Sequence, residues 1–122
     1  CRAAALKSWT WLKANPNVRH DDPFYTDPDV RQEVAWAYAE MAVMTGDGGL
    51  ATQAVDRFKA LNTPDGLGIL PFFWPSPQVL GAMALARYGK GTARDAAISG
   101  LQRAAAILTA GQADDPYGYS ND

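Results

Sequence analysis

The sequence predicts an all-α fold whose helices form two layers, an arc of an α/α toroid. Five segments have the hydrophobic periodicity of helices, and none alternates with the period of a strand. Helices that are apolar on all sides alternate with helices that are apolar on one side, as inner and outer layers require. Long connections lead into the inner helices and short Gly-rich turns leave them. We therefore expect the long connections to emerge together at one end of the molecule.

The first and third helices are predicted to be one-sided. The first, over residues 3–14, ends at Asn15-Pro16 because proline cannot continue a helix. Its apolar side holds Ala5, Leu6, Trp9 and Leu12. The third covers residues 50–61, and its apolar side holds Leu50, Ala54, Val55, Phe58 and Leu61. Both belong to the outer layer.

The second and fourth helices are predicted to be enclosed. They begin at Asp27-Pro28 and at Ser76-Pro77, in each case a capping residue followed by proline at the first helical position. Glu40 is the only charged residue between positions 34 and 44, and residues 79–86 carry no charge. A helix without a polar face is buried on most sides.

The fifth helix, over residues 92–110, is again one-sided. Thr92 is its expected cap, with Asp95 three residues further on. The side expected to face its neighbours holds Ile98, Leu101, Ala105 and Leu108. The two Pro-marked starts lie about 50 residues apart, which indicates a helix-pair repeat.

Composition narrows the class of partner. The chain has 122 residues, is 48% hydrophobic and has a net charge of −2, so it lacks the positive charge that binds nucleic acid or anionic lipid. Its one cysteine, Cys1, excludes an internal disulfide. No signal peptide or membrane-spanning run is evident. The first residue is not Met and the helix pattern stops short of a ring, so we expect a segment of a longer protein.

Aromatic residues in the long connections are the candidate binding residues. Tyr25 lies before the second helix, Trp74 before the fourth, and Tyr117 and Tyr119 follow the fifth. Aromatic faces with few fixed charges suit a neutral amphipathic ligand such as a carbohydrate. The alternative is that these rings only pack within their loops. The tryptophans inside helices, Trp9, Trp11 and Trp36, are predicted to pack.

Nine acidic residues lie near the expected site, and each has a structural alternative. Asp27 is expected to cap its helix, and the others to lie on a solvated surface. Glu40 is interpreted as a hydrogen-bonded core carboxylate rather than a catalytic acid. The nine are Asp21, Asp22, Asp27, Asp29, Glu33, Asp65, Asp114, Asp115 and Asp122.

No cofactor or metal is predicted. His20 is the only histidine, which excludes an imidazole metal cluster. The oxygen-bearing side chains of the last loop lack the spacing of a calcium site. Calcium in the parent protein stays open as an alternative, without a supporting motif in this chain.

Four stretches resemble glycoside hydrolase family 9, the endoglucanase and cellulase family. Residues 32–40 and 44–47 are similar to the family's Asp-Glu-x-x-Trp-Ala-Ala…Ala-Thr-Gly-Asp segment. Residues 72–74 with 78–82 resemble its Phe-Ser-Trp-Asp segment, whose tryptophan lines the glucan cleft. Residues 116–122 resemble the loop ahead of its Trp-Gly-Ser helix start, and residues 2–16 its Ala-x-x-Trp-x-Trp-Leu helix. Gln32 and Ser76-Pro77 depart from the family pattern.

The resemblance implies part of an (α/α)6 barrel from a secreted or periplasmic bacterial enzyme. That enzyme would hydrolyse β-1,4-linked glucan with inversion, and Trp74, Tyr25, Tyr117 and Tyr119 would bind sugar. The family's Asp-Ala-Gly-Asp, His-loop and Asn-Glu motifs are absent, so no catalytic residue is expected in this chain, which should be inactive alone. Two alternatives stay open, a non-enzymatic helical-repeat scaffold and an α/α-barrel hydrolase or lyase with another substrate.

Overall fold

The computed structural model describes residues 1–18, 29–70 and 76–112 and is all-helical there, without a strand. This confirms the all-α class. The five helices are α1 (Arg2–Ala14), α2 (Arg31–Thr45), α3 (Gly48–Lys59), α4 (Gln78–Tyr88) and α5 (Gly91–Gln112).

The helix starts are where the sequence predictions need correction. The predicted start of α2 at Asp27-Pro28 is wrong, because the helix begins at Arg31. Asp29 lies just ahead of the helix. Its Oδ1 accepts hydrogen bonds from the Arg31 backbone N–H at 3.2 Å and from Arg31 Nε at 2.7 Å. Asp27 and Pro28 themselves lie outside the described residues.

Helices α4 and α5 also start differently from the prediction. The first residue of α4 is Gln78, and Pro77 stands at its N-cap, so Ser76 makes no cap and is instead buried. The fifth helix begins at Gly91, one residue ahead of the predicted cap Thr92.

Helix α3 has a cap that the sequence analysis did not name. Asp47 Oδ1 accepts hydrogen bonds from the N–H groups of Gly49, at 2.8 Å, and Leu50, at 3.2 Å. These are donors without a partner inside the helix. The helix is one-sided as predicted, with Ala51, Ala54, Val55 and Phe58 buried.

Helices α2 and α4 lie side by side and run in the same direction. Midway along them the backbones approach closely, since a Cβ on Gly81 would lie 3.0 Å from Trp36 Cα and 3.1 Å from Ala39 Cβ. At their carboxyl ends, Val43 of α2 and Leu85 of α4 line the same small cavity. The glycine is what permits this contact.

The remaining helices pack around this pair. Helix α3 contacts α2, α5 contacts α4, and α3 contacts α5. Gly46, at φ +74°, ends α2 in the left-handed conformation, and the chain reverses within a few residues. The predicted short turns after α2 and α4 are confirmed. One hydrophobic core, which includes Phe58, Leu67 and Leu85, extends over α2 to α5 and the loop between α3 and α4.

The buried side of α5 differs from the prediction. Its buried line consists of small residues, Ala93, Ala97, Gly100 and Ala104, whereas Ala105 is exposed and Ile98, Leu101 and Leu108 are only partly buried. The physical reason is close approach, because a Cβ on Gly100 would lie 2.4 Å from Leu67 Cδ2. The helix rests directly on the α3–α4 loop.

Helix α1 contacts α2 through aromatic rings. The Trp9 and Tyr38 rings meet edge to face, with centroids 4.6 Å apart. The Arg57 guanidinium lies over Tyr38 at 4.1 Å from the ring centroid. Trp9 is buried and Trp36 half-buried, but Trp11 is 55% exposed, so its prediction as a packing residue is wrong.

Candidate functional site

The four predicted sugar-binding aromatics, Tyr25, Trp74, Tyr117 and Tyr119, lie outside the described residues. The same holds for the candidate site residues His20, Asp21, Asp22, Asp27, Asp114, Asp115 and Asp122. The described residues nevertheless include the helix ends that flank the long connections.

Two of the three long connections lead into helices whose starts lie at the same end of the helix pair. Because α2 and α4 are parallel, both begin at this end. Helix α3 finishes there, since Ala60 and Leu61 line a cleft of about 170 Å³ together with Val30 and Val34. The helix starts that follow Tyr25 and Trp74 in sequence therefore share this end of the described fold, while the two rings themselves lie outside the described residues.

Buried amide groups mark the starts of both helices. Gln78 is 2% exposed, and its Oε1 accepts no hydrogen bond within residues 1–18, 29–70 and 76–112. Gln32 Oε1 is likewise buried and makes none in that part of the chain, and Glu33 Oε2 is buried beside it in sequence. Such oxygens accept hydrogen bonds from hydroxyl or N–H donors. Neither glutamine is among the site residues that the sequence predicts.

Asp65 organises the loop that leads from α3 toward α4. Its side chain is fully buried, and its carboxylate accepts four hydrogen bonds. Oδ1 accepts from the N–H groups of Leu67 at 2.9 Å and Ile69 at 3.0 Å. Oδ2 accepts from Leu70 N–H at 3.0 Å and from the Thr63 hydroxyl at 2.7 Å. The loop is thus held around one charged group.

The pKa of Asp65 reflects two opposing causes. Desolvation on burial raises it, while the hydrogen bonds from Leu70, Ile69, Thr63 and Leu67 lower it, and the net result is a pKa below the ordinary value of an aspartic acid. Asp65 therefore stays ionised at neutral pH. A buried, fully hydrogen-bonded carboxylate is poorly placed for proton transfer to a ligand.

Further contacts lock this loop against the helices. Arg103 of α5 donates from Nε to the backbone oxygen of Asp65 at 2.6 Å. Gly68, at φ +71°, lies so close to α3 that a Cβ there would be 2.5 Å from the Phe58 backbone oxygen. The expectation of a solvated rim carboxylate at Asp65 is therefore wrong. Asp65-Gly66-Leu67-Gly68 is a signal for such a loop, since an aspartate that accepts backbone N–H bonds favours turns rich in glycine.

Glu33 is half-buried with its Oε2 buried, so the expectation of a solvated surface is wrong for that oxygen, whereas Asp29 and Glu40 reach the surface. Asp29 pairs with Arg31 at 2.6 Å, and its hydrogen bond and charge raise the pKa of Arg31. Glu40 was expected in the core, but it is exposed, and it accepts a hydrogen bond from Trp36 Nε1 at 3.0 Å. The predicted hydrogen bond is present and the predicted burial is wrong. Exposure is possible because Glu40 lies on the side of α2 that α3 and α4 leave open.

That open side forms a groove that the sequence does not predict. It lies between α1 and α2, has a volume of about 400 Å³ and is almost entirely apolar. Its volume falls within the range of small-molecule and peptide sites. We call it the α1/α2 groove, and it is lined by Ala5, Ser8, Trp9, Trp11, Leu12, Ala37, Glu40 and Met41.

The described ranges contain neither a cluster of metal ligands nor a membrane-spanning helix. Within them, no three His, Cys, Asp or Glu side chains gather as a metal site would require. Over the same ranges, no helix has both the length and the apolarity to cross a membrane.

Comparisons with protein-family models, with curated proteins and with solved structures find no match to this chain.

Proposed function

We propose that this chain is a segment of a glycoside hydrolase acting on β-1,4-linked glucan, an arc of an (α/α)6 barrel. In this proposal α2 and α4 are inner helices, and α1, α3 and α5 are outer helices. Such an arc requires contacts between α2 and α4, between α3 and α5, and within the hairpins α2/α3 and α4/α5. Contacts of all four kinds are present.

The observation that carries the proposal is the parallel packing of α2 and α4. It brings the start of both helices to one end, as it would for consecutive inner helices of a toroid. In sequence, Tyr25 and Trp74 lie in the two connections that share this end. An active-site cleft built from such connections is an expected property of the fold, since binding residues concentrate on loops held by a rigid scaffold.

The proposed ligand is an oligo- or polysaccharide, with Trp74 and Tyr25 as the main sugar platforms and Tyr117 and Tyr119 as further sugar-binding residues. Flat apolar ring faces stack on the C–H faces of pyranose rings. In the intact enzyme, a base would activate water and an acid would protonate the leaving oxygen. Both groups would belong to the remainder of the catalytic domain, in a secreted or periplasmic protein.

Tryptophan fluorescence tests the sugar site directly. We expect cello-oligosaccharides to quench the emission of the wild-type chain and the Trp74→Ala variant to lose this response. Trp11→Ala is the matched control, because Trp11 is an exposed tryptophan in the α1/α2 groove. Quenching that survives in Trp74→Ala, or no quenching of the wild-type chain, would contradict the proposed site.

A hydrolysis assay tests where the catalytic pair lies. The purified chain should release no reducing ends from carboxymethylcellulose while still binding oligosaccharide. Hydrolysis by the chain, free of other cellulases, would show that its own residues include a catalytic pair.

The α1/α2 groove favours one alternative, a helical-repeat scaffold that binds a protein segment. A scaffold would show no saccharide response at any tryptophan. Quenching by non-cellulosic oligosaccharides alone would instead favour an α/α-barrel enzyme with another substrate.

A further inference from the structure

The cleft at the start of α2 has walls from three described helices. It lies between the end of α1, the start of α2 and the end of α3, and its volume is about 170 Å³. Val30 and Leu61 contribute apolar surface, whereas Arg31 and Arg57 contribute two guanidinium groups, and none of the lining residues is acidic. The volume is below that of drug-sized pockets, so the cleft suits a small molecule or a single sugar unit. We call it the three-helix cleft.

Arg57 is held at this cleft without an acidic partner. Its guanidinium carbon lies 4.1 Å from the centroid of the Tyr38 ring, and the Trp9 ring of α1 packs against Tyr38 in turn. Within residues 1–18, 29–70 and 76–112, Arg57 makes no hydrogen bond or ion pair. A guanidinium that lies over a ring keeps its N–H groups, which point outward in its own plane, available to an acceptor. Arg57 is therefore an oriented donor that lacks an acceptor.

The charges around the cleft leave the positive charge of Arg57 uncompensated. Asp29 pairs with Arg31 at 2.6 Å and offsets that second guanidinium. The start of α2 adds the positive end of a helix dipole, and no side chain caps it. The ends of α1 and α3 are negative dipole ends, but Lys13 and Lys59 stand in their last turns and offset them. The cleft therefore favours an anion over a cation.

We propose that the three-helix cleft binds the carboxylate group of a small hydroxylated acid, such as a hexuronate sugar. Two parallel N–H bonds from Arg57 to the carboxylate oxygens are the arrangement that a planar guanidinium favours. Asn17 supplies an amide that can donate to and accept from hydroxyl groups, and Val30 and Leu61 pack against C–H groups. The site goes beyond the proposed glucan cleft and uses none of its residues.

The same charges select among related ligands. One uncompensated guanidinium matches a monoanion better than a dianion such as inorganic phosphate. A neutral sugar can form only uncharged hydrogen bonds with Arg57 as donor to a hydroxyl, and these are weaker than bonds to a carboxylate. A bare carboxylate such as acetate forms the charged contact but has no hydroxyl group for Asn17. A free organic acid and an acidic sugar share the carboxylate, so the test must separate these two sources.

An NMR titration of the ¹⁵N-labelled chain with glucuronate tests the proposal. We expect a Kd of about 1–10 mM, as for a small ligand with one charged anchor, and shifts centred on the resonances of Asn17, Val30 and Arg57 Nε. Glucose should bind at least about fivefold more weakly, and phosphate no more tightly than glucuronate. Acetate as tight as glucuronate would support the carboxylate site with a free organic acid as its source. Glucose as tight as glucuronate, or phosphate tighter, would overturn the proposal.

Two variants of the cleft sharpen this test. Arg57→Gln removes the charge and the fork, and should weaken glucuronate binding at least about tenfold. Ala60→Leu changes no charge but narrows the cleft at an exposed position, and should also weaken binding. Because it leaves the Arg57 contact with Tyr38 in place, it keeps the test decisive if Arg57→Gln does not fold. Wild-type affinity in a folded Arg57→Gln chain, or in Ala60→Leu, would overturn the proposal.

Arg87→Gln is the matched control for loss of a guanidinium. The guanidinium carbon of Arg87 also lies over a tyrosine, 5.1 Å from the Tyr88 ring centroid, but Arg87 does not line the three-helix cleft. Its glucuronate affinity should equal that of wild type, and an equal loss in this control would mean that only net charge matters. The titration reads backbone resonances at the cleft, whereas the glucan test reads tryptophan fluorescence. Failure of either proposal is therefore seen independently of the other.

Discussion

Asp65 is the residue on which the α3–α4 loop most depends. Four donors converge on its carboxylate, three of them backbone N–H groups within residues 67–70. Removal of an ionised acceptor would leave these buried donors without partners, which costs more than the hydrogen bonds contribute in a solvated site. The loop conformation that precedes Trp74 in sequence is therefore a consequence of one charged side chain.

Asp65→Ala should lower the free energy of unfolding by about 3–5 kcal/mol, because it leaves three buried backbone N–H donors and the half-buried Thr63 hydroxyl without their acceptor. Asp65→Asn should cost less, about 1–3 kcal/mol. Its amide oxygen can still accept from Leu67 and Ile69, while its NH₂ group faces the Leu70 N–H. Urea unfolding followed by circular dichroism measures both. An Asp65→Ala chain as stable as wild type would contradict the buried network.

The same network predicts a dependence on acid pH. The pKa of Asp65 is lower in the folded chain than in the unfolded chain, so the unfolded state binds more protons in acid. Its contribution to stability is complete above about pH 4, the ordinary aspartate range, and is lost as pH falls through the folded pKa. Between about pH 2 and 5, the stability of wild type should rise with pH more steeply than that of Asp65→Asn. Equal slopes would mean that Asp65 is not a source of the dependence.

At the scale of residues, the sequence predicts the polar role of a side chain better than it predicts whether that side chain is buried. Asp65 precedes two glycines, which indicates a turn, but the sequence does not tell whether that turn faces water or α5. Glu40 lies among apolar neighbours and was expected in the core, yet it faces the open side of α2. Both errors concern which neighbour covers a side chain, and that is decided by tertiary packing.

At the scale of elements, the presence of a helix is predictable, whereas the face that the helix buries is harder to predict. All five helices follow from periodicity, and their ends shift by a few residues because caps are local choices among nearby acceptors. The face of α5 was misassigned because large apolar residues were expected inside. Close contact with Leu67 requires small residues there, with Gly100 at its centre.

Gly81→Val tests the close packing of α2 on α4. A branched side chain would press on Trp36 Cα and Phe58 Cζ, each 3.0 Å from an ideal Cβ, so we expect a loss of about 1–3 kcal/mol from overpacking. Gly111→Ala is the matched control, because nothing lies within 4 Å of its added Cβ. Thermal unfolding should show a lower Tm for the first variant and an unchanged or slightly higher one for the second. A Gly81→Val chain that melts like wild type would mean that the two helices are farther apart.

At the scale of the whole molecule, the five helices and their order were predictable from hydrophobic periodicity. The prediction that α2 and α4 are enclosed is wrong in part, because Glu40 of α2 and both Leu80 and Met83 of α4 are exposed. The position of α1 was less predictable, because its pattern shows one apolar side and does not say how far that side is covered. In the structure Trp9 lies outside the main core, and Leu6 and Trp11 are exposed. The molecule thus consists of a core of α2 to α5 with α1 attached at its side.

This division predicts two levels of local stability, which hydrogen exchange with mass spectrometry can measure. Helix α1 has 13 residues, a length at which a helix without tertiary contacts is marginal in water. Its contact with the core depends on Trp9 against Tyr38, so Trp9→Ala should bring exchange in α1 close to that of an unfolded peptide. Protection in α2 and α4 should stay within about threefold of wild type, since their core contacts are unchanged. Trp11→Ala, in the same helix but exposed, should leave α1 protected. If Trp9→Ala lowered protection in α1, α2 and α4 by one common factor, α1 would unfold together with the core, and the five helices would form a single cooperative unit.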